Sequence, residues 1–226
     1  MRFVDRLERK LGKYAISNLM LYITIGNLAV FILHYLMPSL NVPGKLALIP
    51  GYVLKGQVWR LVTYIFIPPE SSIIFIFFAL YFYYIIGSSL ESLWGSFRLN
   101  MYYFIGMIGT TIAALLTGYS DSTHLNLSLF LAFAYLFPDY EILLFFIIPV
   151  KIKYLAWLNW AFIAFSVVFG PVWRKLAAIA SVINFLLFFG PDVINRIKNR
   201  RNVYVNRKNF YRQLEEGRRA NRKNLR

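Results

Sequence analysis

The sequence predicts an all-α, polytopic membrane protein built as a bundle of six transmembrane helices, and three observations predict it. Of 226 residues 58% are hydrophobic and 19% aromatic while 15% are charged, against about a quarter charged in soluble domains. From Ser71 to Leu90 run 20 residues without a charge, enough at about 1.5 Å per helical residue to cross roughly 30 Å of hydrocarbon. The net charge of +15 is concentrated at the two ends, so it describes tails and not a basic, nucleic-acid-binding domain. The absence of cysteine excludes disulfides, thiol catalysis and Cys-ligated metals. Two histidines are too few for a His-rich site, and no metal or cofactor is expected.

Three regions follow: a basic amphipathic segment 1–14, a membrane domain 15–190 and a basic cytoplasmic tail 191–226. In the first, Arg2, Arg6, Arg9, Lys10 and Lys13 are set among Phe3, Leu7 and Leu11 at four-residue spacing. That pattern fits a helix lying along the membrane surface or a basic flank orienting the first span. The apolar run Ala15–Met37 is too long for a signal-peptide core and lacks a small-residue cleavage pattern, so it stays attached as span one. Residues 38–70 carry Pro38, Pro43, Pro50, Gly44, Gly51 and Gly56 with Tyr52 and Trp59, as in a structured loop with rings at headgroup level.

Span two is residues 71–90, followed by a short turn at 91–96. Span three is residues 97–117, where Gly106, Gly109, Thr110, Ala113 and Ala114 allow close helix approach. Span four, residues 123–137, ends at Pro138-Asp139 and is too short to cross alone, so protein should surround it. Residues 139–153 have charged ends and an apolar centre broken by Pro149, as in a hairpin dipping into the interface. Span five is residues 154–169 and span six residues 173–189, each ended by Gly-Pro.

Six crossings put both termini on one side. With that side cytoplasmic, 20 of the 25 lysines and arginines lie inside and Lys45, Lys55, Arg60, Arg174 and Lys175 outside, in keeping with the positive-inside rule.

Trp59-Arg60 within WRLVTYIF, then Gly87, Glu91 and Gly95 spaced four apart, with Trp94, Arg98 and Tyr102-Tyr103 beyond them, resemble the scaffold marks of the rhomboid superfamily of intramembrane proteases. LAFAYLFP (131–138) and IPVKIKY (148–154) resemble the end of span four and the following loop in one bacterial branch, which implies a bacterial cell membrane. The likeness covers about residues 15–190 and implies a six-span rhomboid-like bundle.

Active members carry a serine nucleophile in Gly-x-Ser-Gly at the start of span four and a histidine base in span six, a dyad forming an acyl-enzyme. The resemblance places these on Thr123 and Ala178, and it places the His and Asn that help hold the oxyanion on Phe75 and Ala79, neither of which donates a side-chain hydrogen bond. No histidine follows residue 124. Substitutes would come from Ser122, Ser128 and His124. Ser128 and His124 share one helix, however, whereas a nucleophile and its base normally come from different elements. The structural alternatives are a Ser128 hydroxyl bonded back to a helical carbonyl and an interfacial His124 in the turn.

Asn18, Asn27, His34, Asn159 and Asn184 are the other polar residues inside the spans. For the asparagines, helix-to-helix hydrogen bonding is the expected role; His34 lies near the outer end of span one, within reach of water. Arg60 and Glu91 lie at opposite ends of the membrane, so Arg60 is expected to bond loop carbonyls or phosphates while Trp59 wedges into the interface. Glu91 is expected to fix the inner turn through backbone amides or Arg98. The resulting reading is a rhomboid pseudoprotease, not an enzyme, whose partners are transmembrane segments of client proteins and, at the basic tail, anionic lipids. The alternative is an active intramembrane serine endopeptidase with a non-standard nucleophile. A transporter has little support, since ionisable residues inside the spans are lacking apart from His34.

Overall fold

The computed structural model describes residues 2–69, 72–118, 122–144, 147–172, 174–176 and 178–190, with positions 194, 195, 198, 207, 210 and 212 of the tail. The chain divides into Met1–Phe185 and Leu186–Arg226. The expectations for the basic tail fall almost wholly outside the described residues.

Helix α1 (Arg2–Leu11) forms where the amphipathic pattern placed it. With about 100° between successive residues, Leu7 and Leu11 share one arc, Glu8 occupies the next, and Arg6, Arg9 and Lys10 occupy a third. Glu8 accepts from Arg98 Nε at 3.1 Å, fastening α1 to the chain just beyond Gly95. Helix α2 (Leu19–Leu36) begins four residues later than expected, after Asn18 in the left-handed region at φ 55°.

The loop that follows is structured, as its prolines suggested. Three short α-helices occupy it, α3 (Val42–Leu46), α4 (Pro50–Val53) and α5 (Arg60–Thr63), the first two with proline in their opening turn. That is where a missing N–H costs nothing. A 3₁₀ turn, Tyr64–Phe66, completes it, with Tyr64 fully buried.

Helix α6 (Ile73–Trp94) runs four residues beyond the predicted end of span two. Glu91 marks a charge but not a helix stop; the stop is Gly95, whose φ of +81° suits a residue without Cβ. Helix α7 (Ser96–Thr117) starts at the next residue. Gly87 lets Met20 of α2 lie directly against α6, where an added Cβ would collide with the Met20 side chain.

Helix α8 (Thr123–Leu136) is 14 residues long, a rise of about 21 Å, short of the membrane core. It packs against α6, α7 and the following membrane helix, and Leu125 and Leu129–Ala134 are buried, so protein surrounds it as predicted. Strands β1 (Glu141–Leu144) and β2 (Ile148–Lys151) then pair antiparallel, Glu141 opposite Lys151 and Leu143 opposite Pro149. The expected hairpin is therefore a β-hairpin.

Helix α9 (Ile152–Phe169) takes in two residues assigned to the hairpin. Residues 178–185, labelled α10, are helical and close the first unit; the second is helical at 186–190.

The protein is thus mostly helical. Among the described residues four helices, α2, α6, α7 and α9, are long and apolar enough to cross a membrane, with α8 shorter. Four of the six expected spans reach that length and apolarity; the one expected at 123–137 is shorter, and the one expected at 173–189 includes positions outside the described residues.

Candidate functional site

Arg60 is the best-satisfied charge in the outer loop. It is 5% exposed. Its Nη1 donates to the Gly44 and Ala47 carbonyls at 2.8 and 2.7 Å, its Nε donates to Gln57 Oε1 at 2.7 Å, and its guanidinium lies 4.8 Å from the Tyr52 ring centre. A planar fork with several donors can satisfy carbonyls that diverge from one another, which an ammonium cannot do as well. Thr63 adds a bond to the Leu46 carbonyl at 3.1 Å. Trp59, beside it, is half exposed. The expectation that Arg60 bonds loop carbonyls is met.

At the opposite end, Glu91 Oε1 accepts from the Asn18 backbone N–H at 2.8 Å and the Ser96 hydroxyl at 2.6 Å. The carboxylate therefore clamps the start of α2 to the turn between α6 and α7, the backbone-amide role among those expected. Arg98 pairs with Glu8 of α1. On the hairpin, Lys153 Nζ lies 2.8 Å from Asp139 Oδ1. That bond holds the Asp139 carboxyl below its ordinary range.

The positions that the rhomboid resemblance assigns to catalysis differ in their surroundings. Thr123 opens α8 and is exposed, whereas Ala178 is completely buried and offers only a methyl group. Phe75 is 45% exposed on α6, and Ala79 is half-buried. Ser122 precedes α8, and its hydroxyl donates to the Ile67 carbonyl at 3.5 Å, tying the helix start to the outer loop. His124 lies in α8, but its side chain falls outside the described residues.

Ser128 departs from the back-bonded hydroxyl that the sequence suggested. Its Oγ is 2.6 Å from the Tyr102 hydroxyl of α7 and accepts from Asn184 Nδ2 of α10 at 3.1 Å. The Tyr102 hydroxyl also donates to the Ser128 carbonyl at 2.8 Å. One proton arrangement satisfies all three contacts: the amide donates to the serine, the serine to the phenol, and the phenol to the carbonyl. Gly106 admits Asn184, since a Cβ there would sit 2.9 Å from Nδ2. Ser128 is 1% exposed and Asn184 4%. Neither a phenol nor an amide is a general base for a serine at neutral pH. The cluster cross-links α7, α8 and α10.

Sequence reasoning singled out Ser128, Tyr102 and Asn184 separately but did not join them; Gly106, one turn beyond Tyr102, was the available signal. Elsewhere, Asn27 donates to the Ile23 carbonyl of its own helix at 3.0 Å, contrary to the helix-to-helix role expected of it.

A groove of about 430 Å³ opens among α8, the start of α9 and α10, lined by Leu131, Tyr135, Lys153, Trp157, Trp160 and Phe185. Neither Thr123 nor Ala178 lines it. No group of three or more potential metal ligands occurs among the described residues.

Residues 18–189 match the model of a family described as eukaryotic integral membrane protein (DUF1751). The chain belongs to that family. The match to DUF1751 covers nearly the whole membrane domain delimited from the sequence, and this protein is accordingly an integral membrane protein. The eukaryotic description of DUF1751 speaks against the expected bacterial cell membrane. Among curated proteins no significant match is found.

Proposed function

We propose that this protein is a rhomboid-like pseudoprotease with six crossings and both termini in the cytoplasm, which binds transmembrane segments of client membrane proteins. The observation that carries the reading is the polar cluster between α8 and α10. These helices correspond to the two that bear the catalytic dyad in active rhomboids. Here they are joined by Ser128 and Asn184, a neutral hydrogen bond, while Ala178 is sealed in the core. Arg60 and Glu91 carry structural bonds that survive the loss of catalysis. The rhomboid likeness of DUF1751 supports the fold assignment.

Binding of a client helix has a physical basis in α8. A helix rising about 21 Å beneath an irregular outer loop leaves a mismatch of roughly 9 Å with the hydrocarbon. Local thinning of the bilayer lowers the cost of bringing a second helix alongside. The alternative of a serine endopeptidase using Ser122 or Ser128 draws no support from this geometry, because the Ser122 hydroxyl lies on the Ile67 carbonyl and Ser128 on a phenol and an amide.

Photo-crosslinking residues placed at Phe77 of α6 and Trp157 of α9, both largely exposed, test the reading in cells. Recovery of membrane proteins crosslinked through their transmembrane segments is expected. Empty captures at both positions under several growth conditions would contradict it.

A further inference from the structure

Helix α9 is held to the bundle by a narrow strip. Of its 18 residues four are buried: Ile152, Asn159, Ile163 and Ser166. Their spacings of seven, four and three keep them on one face. It is the least buried of the four long apolar helices; it packs against α8, and its Trp160 meets Phe185 of α10 edge-on.

Half of that strip is polar and lacks partners. Asn159 is 6% exposed and Ser166 1%. Among the described residues, neither Nδ2 nor Oδ1 of Asn159 has a hydrogen-bond partner, nor does Ser166 Oγ. Five asparagines are buried among the described residues. Asn27 and Asn184 each place their amide N–H on an oxygen, in Asn100 and Asn126 the unmet buried atom is Oδ1 alone, and Asn159 leaves both ends unmet. An unsatisfied amide in apolar surroundings destabilises the fold, whereas an apolar side chain of similar shape is neutral or better. Packing of α9 against α8 therefore does not explain why an amide and a hydroxyl stand there.

We infer that the Asn159–Ser166 strip of α9 is the recognition site for client transmembrane segments carrying an uncharged hydrogen-bonding residue, Asn, Gln, Ser or Thr, near mid-membrane. This rests on the client-binding reading above and names the class of client. A carboxamide both donates and accepts, so it pairs with another carboxamide through two bonds. Ser166 lies two turns away, about 10.5 Å along the axis, and offers a second contact on the same face. No charged residue belongs to the strip, so a client carboxylate or ammonium would find no counter-charge there, and neutral polar residues are selected. With few own-chain contacts to break, α9 exchanges the unsatisfied seam with α8 for a satisfied seam with the client.

The test uses the full-length protein in phosphatidylcholine vesicles and fluorescence energy transfer to two synthetic probes, an all-leucine transmembrane peptide and the same peptide with one central Asn. The Asn peptide is expected to bind about tenfold more tightly. Asn159→Leu should abolish that preference while leaving the unfolding midpoint equal or higher, and the smaller change Ser166→Ala should reduce it about twofold. Equal binding of the two peptides, or a preference that survives Asn159→Leu, overturns the inference while leaving client binding intact. A lower unfolding midpoint for both variants also overturns it, since the polar groups would then serve the fold. Failure to bind either peptide rejects the client-binding reading itself.

Discussion

Replacing Arg60 by alanine removes the centre of the outer loop. The side chain makes two bonds to backbone carbonyls and one to Gln57, each of 2.7–2.8 Å, at 5% exposure. Hydrogen bonds to a charged group contribute about 1.5–3 kcal/mol each, and a buried carbonyl left unsatisfied costs about 1–3 kcal/mol. These terms overlap, because the lost bond and the stranded carbonyl describe one change seen from two sides. A net loss of about 3–5 kcal/mol is expected for Arg60→Ala, or roughly 150- to 4000-fold in the unfolding equilibrium. Arg60→Lys keeps the charge and reaches one carbonyl but loses the fork and the stacking on Tyr52, so about half that loss is expected. Reversible unfolding in mixed micelles, followed by tryptophan fluorescence, measures both. Protease cleavage within residues 38–66 should rise in parallel. If Arg60→Ala unfolds within about 0.5 kcal/mol of the parent, the bonds do not hold the loop and the scaffold role assigned to Arg60 is wrong.

Gly87→Ala should cost about 1–3 kcal/mol through overpacking against Met20, and the double variant with Met20→Ala should recover part of it. A double-mutant cycle with no coupling would place the strain elsewhere. Ser128→Ala should cost about 0.5–1.5 kcal/mol, with a less than additive further loss when Asn184→Leu is added, since the two share one bond while each also contacts Tyr102; fully additive losses would argue against the cluster. The Asp139–Lys153 pair predicts a pH response on the acid side. Asp139 is depressed from 3.8, so its contribution is complete above that value and is lost as pH falls through its lower folded value. Hairpin amide exchange or cleavage should increase as pH falls through that range, and Asp139→Asn should flatten the response.

Much of the fold was legible because hydropathy and breakers act locally. Gly95, Pro138 and the Gly170-Pro171 pair mark where helices stop, and Pro149 between charged ends foretold a hairpin. The errors were also local. Glu91 was taken as a boundary, but its charge is met by the Asn18 amide and the Ser96 hydroxyl, so α6 continues to Trp94. What could not be read were pairings between distant positions. Glu8 meets Arg98 across 90 residues and Asn184 meets Ser128 across 56, and nothing in the spacing of one element names its partner on another. For the same reason Ser128 looked like a self-bonded hydroxyl when it is a bridge. Thr123 and Ala178 were located from resemblance alone. That one is open and the other sealed depends on how α8 and α10 pack, which a linear pattern does not encode.

Incubation of the purified protein in proteoliposomes with a model transmembrane substrate, with cleavage read by mass spectrometry, tests the central claim most directly. The account predicts no product above the protein-free control, and no difference among the parent, Thr123→Ala, Ser122→Ala and Ser128→Ala. Cleavage by the parent that disappears on alanine substitution at any one of those three positions would contradict it.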